Sequence, residues 1–369
     1  MRVLNLIPSL YGGGAERQLS YFAPELARLG HDVHVSYLYG GPNLQRLEMS
    51  HVNLHCLQAK GNYDPAIFWQ LINLIRNIQP DIIQTWILQM DILGGLAARI
   101  AKVPWILRQP NSYNATNINS FKNRIRKLLA TWAVAIVSNS MGGDLYWQKQ
   151  GFSKPRFIIP NALPVEEIAA VPMATLSEYG VTQSQKVLLY AGRFVEQKNI
   201  RNMVNAMLQV TEDTKIVAFI CGEGPLLDEM KQHIKQAKAM NRIFLLGYIT
   251  DIWAMMKRAD VFVSISHFEG RPNTVIEAMA CGTPLVVSDI PEHREFLDEQ
   301  SAILANRYDP IEISKAINNC LANPNLSQWR ARVAKNIVAK WSVPDIAQQY
   351  VRMYKSILGG DRKLVEKEQ

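Results

Sequence analysis

The chain has 369 residues, 48% hydrophobic and 20% charged, with a net charge of +8 and four cysteines. That length favours two domains, and that composition excludes a disordered or fibrous chain. No apolar run reaches the roughly 18–20 residues of a membrane span, MRVLNLIPSLYGGGAER does not read as a secretory signal, and Cys56, Cys221, Cys281 and Cys320 show no zinc-site spacing, so reduced thiols and a cytoplasmic setting are expected.

RVLNLIPS opens the chain as a β-rich run, and GGGAERQLSYFAPELARLG reads as a glycine turn feeding a helix. Leu19, Phe22, Leu26 and Leu29 recur at helical spacing, and Gly30 is a C-terminal stop. HDVHVSYLY, PDIIQTW, PWILRQP and WAVAIVSNS follow as short apolar strands. Between them lie the helical patterns PAIFWQLINLIRNIQ, MDILGGLAARIAK and FKNRIRKLLATW. Repeated β-then-α units predict a parallel sheet with helices on both faces. RFIIPNALPVEEIAAVPMATLSEYG, with Pro160, Pro164 and Pro172 and no sustained period, reads as an interdomain connection. A second series begins at KVLLYAGR and continues through KIVAFICGEGP, RIFLLGY, VFVSIS and TPLVVSD. The expected organisation is a first domain over 1–163, a second over 164–342 and a polar tail over 359–369. An amphipathic helix over about 343–358, with Ile346, Tyr350, Tyr354 and Ile357 on one face, is expected to pack back on the first domain. The fold class is α/β: two Rossmann-like doubly wound domains facing each other across a cleft, with ligands at the carboxyl ends of the strands.

Charge is uneven. Residues 1–160 hold 16 Lys/Arg against 8 Asp/Glu, and residues 161–369 hold 24 of each. This points to an anionic partner for the first half: a membrane surface, a lipid phosphate or nucleic acid. FKNRIRKLLATW combines Lys122, Arg124, Arg126 and Lys127 with Phe121, Leu128, Leu129 and Trp132, the pattern of a helix that lies in a headgroup layer.

The stretch HFEGRPNTVIEAMACGTP carries two carboxylates, Glu269 and Glu277. The first falls in the loop after a strand. The second falls one turn inside a helix that begins near Pro272–Thr274 and ends at Gly282. Free N–H groups at such a helix start suit a phosphate. Asn273, Thr274 and Glu277 share a helix face, so Glu277 suits the vicinal hydroxyls of a ribose, and Val275, Ile276 and Met279 can face the core. Upstream, Gly192 and Arg193 close a strand and Lys198 follows, an arrangement able to clamp a pyrophosphate. CGEGP adds a glycine turn, and Gly247 with Tyr248 opens a loop able to hold a nucleobase.

This ordered set resembles the C-terminal domain of the retaining family 4 glycosyltransferases of the GT-B fold. The matching residues are Gly192-Arg193, Lys198, Gly222-Glu223-Gly224-Pro225, Gly247 to Asp251-Ile252, and Glu269 with Glu277 followed by EAMACGTP. GGGAERQL is similar to the family's N-terminal glycine loop, and the likeness runs from near residue 1 to about 358. A dinucleotide fingerprint fails: GGGAER lacks G-x-G-x-x-G and no acidic residue ends the next strand. Many family members carry a histidine in the strand matching VPWILRQPNS. Here Arg108, Gln109, Pro110 and Asn111 stand there, and the seven histidines lie elsewhere, His267 in a loop near Glu269 and His293 beyond it.

The resemblance implies transfer of a hexosyl unit from a nucleotide sugar, more often UDP-linked in the family, to a glycan or lipid-linked acceptor with retention. It implies Arg193 and Lys198 against the leaving diphosphate and Glu269 supporting the sugar, not as a covalent nucleophile. Gly13, Gly14, Gly192, Gly222, Gly224, Tyr248, Gly270, Arg271, Pro272, Asn273, Thr274 and Glu277 would line the donor. Glu16, Arg17, Arg108, Gln109 and Asn111 are acceptor-side candidates. No Asp-x-Asp occurs, so no metal and no cofactor are expected. The partner expected beyond the substrates is an anionic membrane surface rather than nucleic acid. Alternatives are a UDP-sugar epimerase of similar architecture and a non-catalytic nucleotide-sugar-binding subunit.

Overall fold

The computed structural model describes residues 1–62, 64–109 and 120–359. The chain divides into two compact units, Met1–Ala162 with Trp341–Gln369, and Leu163–Lys340.

The first unit holds β1 (Arg2–Leu6), β2 (Asp32–Tyr37), β3 (Asn53–Cys56), β4 (Ile82–Thr85), β5 (Trp105–Gln109), β6 (Ala135–Ser138) and β7 (Arg156–Ile158). They form one sheet in the order β3-β2-β1-β4-β5-β6-β7, and every pair is parallel. Parallel strands covered on both faces need apolar residues on both sides. Val3, Leu4 and Leu6 of β1, Ile82 and Ile83 of β4 and Ile106 and Leu107 of β5 are accordingly fully buried. The sheet reverses direction of growth between β1 and β4, which marks the ligand edge of such a fold.

The helix Gly14–Arg28 follows β1 and ends where Gly30 takes φ 82°. The helix Val343–Leu358 packs with it in the same core. Phe22 and Tyr350 lie 4.4 Å apart by ring centroid. The Tyr354 hydroxyl donates to Gln84 Oε1 at 2.8 Å, and Arg108 Nε donates to the Tyr350 hydroxyl at 3.2 Å. Ile346, Tyr350 and Tyr354 are buried, joined by Ala347 and Met353.

The helix Phe121–Ala130, capped by the Ser120 hydroxyl, differs from expectation on one point. Arg126 and Leu129 do not belong to its outer face; both are buried. Arg126 Nε donates to Asp91 Oδ2 at 2.7 Å and its Nη1 to Gln109 Oε1 at 2.6 Å, and its guanidinium lies over the Trp147 ring. A buried carboxylate needs such a partner, and burial raises the Asp91 pKa against the pull of Arg126. The outer face keeps Lys122, Arg124 and Lys127 together with Phe121, Leu128 and Trp132, which are 75%, 66% and 39% exposed.

The second unit holds β8 (Lys186–Ala191), β9 (Ile216–Cys221), β10 (Ile243–Gly247), β11 (Val261–Ser264), β12 (Leu285–Ser288) and β13 (Ile303–Ala305). Their order is β10-β9-β8-β11-β12-β13, again all parallel. Growth reverses between β8 and β11. Three strands, β3, β7 and β13, were not separately read from the sequence. The segment read as a connection contains β7 and the helix Val165–Ala170, which Lys257 Nζ holds by donating to the Ala169 carbonyl at 2.9 Å. No helix of the described residues is long and apolar enough to cross a membrane.

Candidate active site at the strand ends of the second unit

Because all six strands run the same way, their carboxyl ends share one edge. Glycines close that edge. A Cβ on Gly222, at φ 130°, would stand 1.9 Å from the Gly192 carbonyl oxygen, and one on Gly224, at φ 151°, 2.6 Å from that of Phe194. The Gly222 N–H donates to the Gly247 carbonyl at 2.6 Å, and the Gly192 N–H to that of Cys221 at 3.0 Å. The G-x-G-P turn is therefore glycine-rich because backbone lies on backbone at the ends of β8, β9 and β10. Tyr248 follows β10 and is 73% exposed.

The loops after β8 and β11, which flank the reversal, are joined. The His267 N–H donates to the Gln197 carbonyl and Gln197 Nε2 to that of Phe268, both at 2.9 Å. Lys198 Nζ then meets Glu269 Oε1 at 2.6 Å, and the Ser266 hydroxyl donates to the same oxygen at 2.6 Å. Arg193 is exposed, its carbonyl accepting from the Tyr190 hydroxyl at 3.1 Å.

The helix Asn273–Cys281 starts after Pro272 and ends at Gly282, which takes φ 75°. Val275, Ile276 and Met279 enter the core. Neither carboxylate is solvated: Glu269 is 3% exposed and Glu277 4%. Glu277 Oε2 accepts from the Trp253 indole N–H at 3.2 Å. Asn273, Thr274 and Gly270 stay partly exposed at the helix start. The Arg271 guanidinium is buried 4.0 Å from Glu295 Oε2 and over the Phe296 ring, and burial lowers its pKa to about 10.

Arg193, Lys198, Gly192, Gly222, Gly224, Tyr248, Glu269, Gly270, Arg271, Pro272, Asn273, Thr274 and Glu277 thus all lie in the strand-end loops or first helical turns of one sheet. Sequence reasoning missed Ser266, Trp253 and His293, which touch or neighbour the carboxylates. Ser266 was findable, as a hydroxyl three residues before Glu269. Trp253 belongs to the helix Ile252–Arg258 after β10, and only the fold brings it to Glu277.

In the first unit, Gly13 is the N-cap of its helix, Gly14 its first residue, and Glu16 and Arg17 lie in the first turn. The Glu16 carboxylate folds back over Gly13: a Cβ on that glycine would overlap it. Arg108 and Gln109 are buried and make internal contacts. Arg108 donates to Asn161 Oδ1 at 2.7 Å and stacks over Trp86, and Gln109 accepts from Arg126. Asn111 lies outside the described residues.

Comparison with known proteins settles the family. The sequence profile of glycosyl transferases group 1 matches residues 176–337, and that of Glycosyltransferase Family 4 matches residues 12–167. The chain belongs to this glycosyltransferase family. It is 28% identical over 241 residues to the UDP-Gal:alpha-D-GlcNAc-diphosphoundecaprenol alpha-1,3-galactosyltransferase of Escherichia coli, covering 60% of each chain. It is 27% identical over 298 residues to the N-acetylgalactosamine-N,N'-diacetylbacillosaminyl-diphospho-undecaprenol 4-alpha-N-acetylgalactosaminyltransferase of Campylobacter jejuni, covering 77% of this chain and 79% of the relative. The match to the first of these glycosyltransferases thus spans under two thirds of that relative. Among solved structures, Anabaena HepE in complex with UDP superposes with a TM-score of 0.83 at 20% identity, over 96% of this chain and all of that one. That likeness shows the GT-B glycosyltransferase fold.

Proposed function

We propose that this glycosyltransferase moves a hexosyl unit from a UDP-sugar to a lipid-linked or glycan acceptor, with retention of anomeric configuration and without a divalent metal. The observation that carries the reading is the Lys198–Glu269 pair across the reversal of the second sheet, with Glu277 one turn into the next helix. The second unit is the donor-binding one. Glu277 holds the ribose. Arg193, Lys198 and the start of the helix Asn273–Cys281 meet the diphosphate, whose charge grows as the glycosidic bond breaks. Glu269 supports the reacting sugar. The diphosphate competes with Glu269 for Lys198, so donor binding rearranges this pair. Relatives named for UDP-galactose and for diphospho-undecaprenol-linked glycans support the donor and acceptor classes.

The first unit takes the acceptor, with Glu16 and Arg17 in the first turn of the helix that follows β1. Its exposed Phe121, Leu128 and Trp132 among Lys122, Arg124 and Lys127 suit peripheral contact with an anionic membrane on its cytoplasmic face. The test supplies a panel of UDP-sugars and a diphospho-undecaprenol-linked sugar in EDTA and reads the product by NMR. An α-linked product from an α-linked donor supports the reading. An inverted linkage overturns retention, and activity restored only by magnesium or manganese overturns metal independence.

A further inference from the structure

His293 stands outside the set that carries the donor site. It follows β12 in the short helix Pro291–Arg294 and is fully buried. Its Nδ1 lies 2.8 Å from the Ser288 carbonyl oxygen. A carbonyl only accepts, so Nδ1 carries the proton. The Ser288 hydroxyl donates to the Ser266 carbonyl at 2.8 Å, and the Ser266 hydroxyl donates to Glu269 Oε1 at 2.6 Å, the oxygen that also takes Lys198. The connection from imidazole to carboxylate is unbroken. Backbone carbonyls interrupt it as a proton path, so what it transmits is position.

Glu269 needs such support. It sits in a loop, held by neither helix nor strand periodicity, and the rate of a charge-separating reaction depends on where a fixed charge stands. Burial lowers the His293 pKa, against a smaller upward pull from the Glu269 carboxylate. Nε2 is a buried ring nitrogen with no hydrogen-bond partner among the described residues. Folds retain such groups only against a free-energy cost, and they call for an explanation beyond packing.

We propose that His293 is a positioning residue for glycosyl transfer: through Ser288 and Ser266 it fixes the Glu269 carboxylate against Lys198. The inference rests on the glycosyl-transfer reading above. His293→Leu keeps bulk and removes the N–H, whereas His293→Asn keeps an N–H near the place of Nδ1. The assay is UDP release from a UDP-sugar in the full chain, with kcat and KM determined separately. His293→Leu is expected to lower kcat about tenfold, the rate equivalent of one ordinary hydrogen bond, with KM within about twofold. His293→Asn is expected to recover most of that loss.

A double-mutant cycle with Glu269→Gln separates positioning from mere stability. If His293 acts through Glu269, His293→Leu costs less than about twofold in the Glu269→Gln background. Equal losses in both backgrounds, or a change in KM alone, overturn the proposal. Should His293→Leu fail to fold, His293→Met, which also lacks the N–H, takes its place in the cycle under the same criterion. A folded wild-type chain that releases UDP from no UDP-sugar overturns the reading beneath, a result distinct from an additive cycle in an active enzyme.

Discussion

Replacing Lys198 by Met removes the cation from a carboxylate that is itself only 4% exposed in its side chain, while Lys198 is 14% exposed. Breaking a buried pair from one side leaves an uncompensated charge and costs about 3–5 kcal/mol. Two features place this site at the low end of that range. Lys198 retains some solvent, and Ser266 still donates to Glu269 Oε1 at 2.6 Å. Lys198→Met should therefore destabilise the fold by about 3 kcal/mol. The double variant Lys198→Met/Glu269→Gln has no stranded charge, and it should regain about 2 of those 3 kcal/mol because a neutral amide can keep the Ser266 hydrogen bond. Equilibrium urea unfolding of the wild type, both single variants and the double variant at one pH measures this cycle. A cost below about 0.5 kcal/mol for Lys198→Met, or a double variant less stable than the single one, would show that the pair is solvated and that the buried geometry is wrong.

The glycine layer gives a second expectation. Gly222→Ala must fit a Cβ 1.9 Å from the Gly192 carbonyl at φ 130°, so it should cost about 3 kcal/mol or more and weaken UDP binding, read by thermal unfolding and calorimetry. Removing the buried hydroxyl in Tyr354→Phe strands the Gln84 Oε1 acceptor and should cost about 1–2 kcal/mol in urea unfolding; a neutral result would mean the C-terminal helix is not fixed by that bond. For the membrane, Phe121→Ser/Leu128→Ser should weaken co-sedimentation with anionic liposomes at unchanged fold. Arg126→Ala should instead lower stability by about 3 kcal/mol, since it strands the buried Asp91 carboxylate.

What the sequence disclosed follows from how each element is covered. Central strands such as β1, β8 and β9 are buried on both faces, so they must be apolar runs and are legible as such. β3, β7 and β13 stand at sheet edges, where a few residues suffice, and NLHC, RFI and ILA leave no period to read. That the residues proposed for the donor gather at one sheet edge was legible, because strand ends, a helix start and glycine turns fix where they fall. The internal contacts of Arg108 and Gln109 were not. Whether an arginine faces a ligand or a buried partner depends on residues distant in the chain: Arg108 meets Tyr350 at a separation of 242 positions, and Arg126 meets Asp91 at 35. His293 was hidden for the same reason, since its role exists only once β11 and β12 lie side by side.

The central claim is that Lys198, Glu269 and Glu277 form a nucleotide-sugar site in which each group serves a different part of the donor. Steady-state kinetics of UDP release by Arg193→Ala, Lys198→Ala, Glu269→Gln and Glu277→Gln tests it most directly. The account expects kcat to fall about 10²–10³-fold for Lys198→Ala and for Arg193→Ala, whose charges meet the departing diphosphate. Glu269→Gln should lower kcat, and Glu277→Gln should chiefly raise the donor KM. Near wild-type kcat for both Arg193→Ala and Lys198→Ala would contradict it, because the diphosphate would then be held elsewhere.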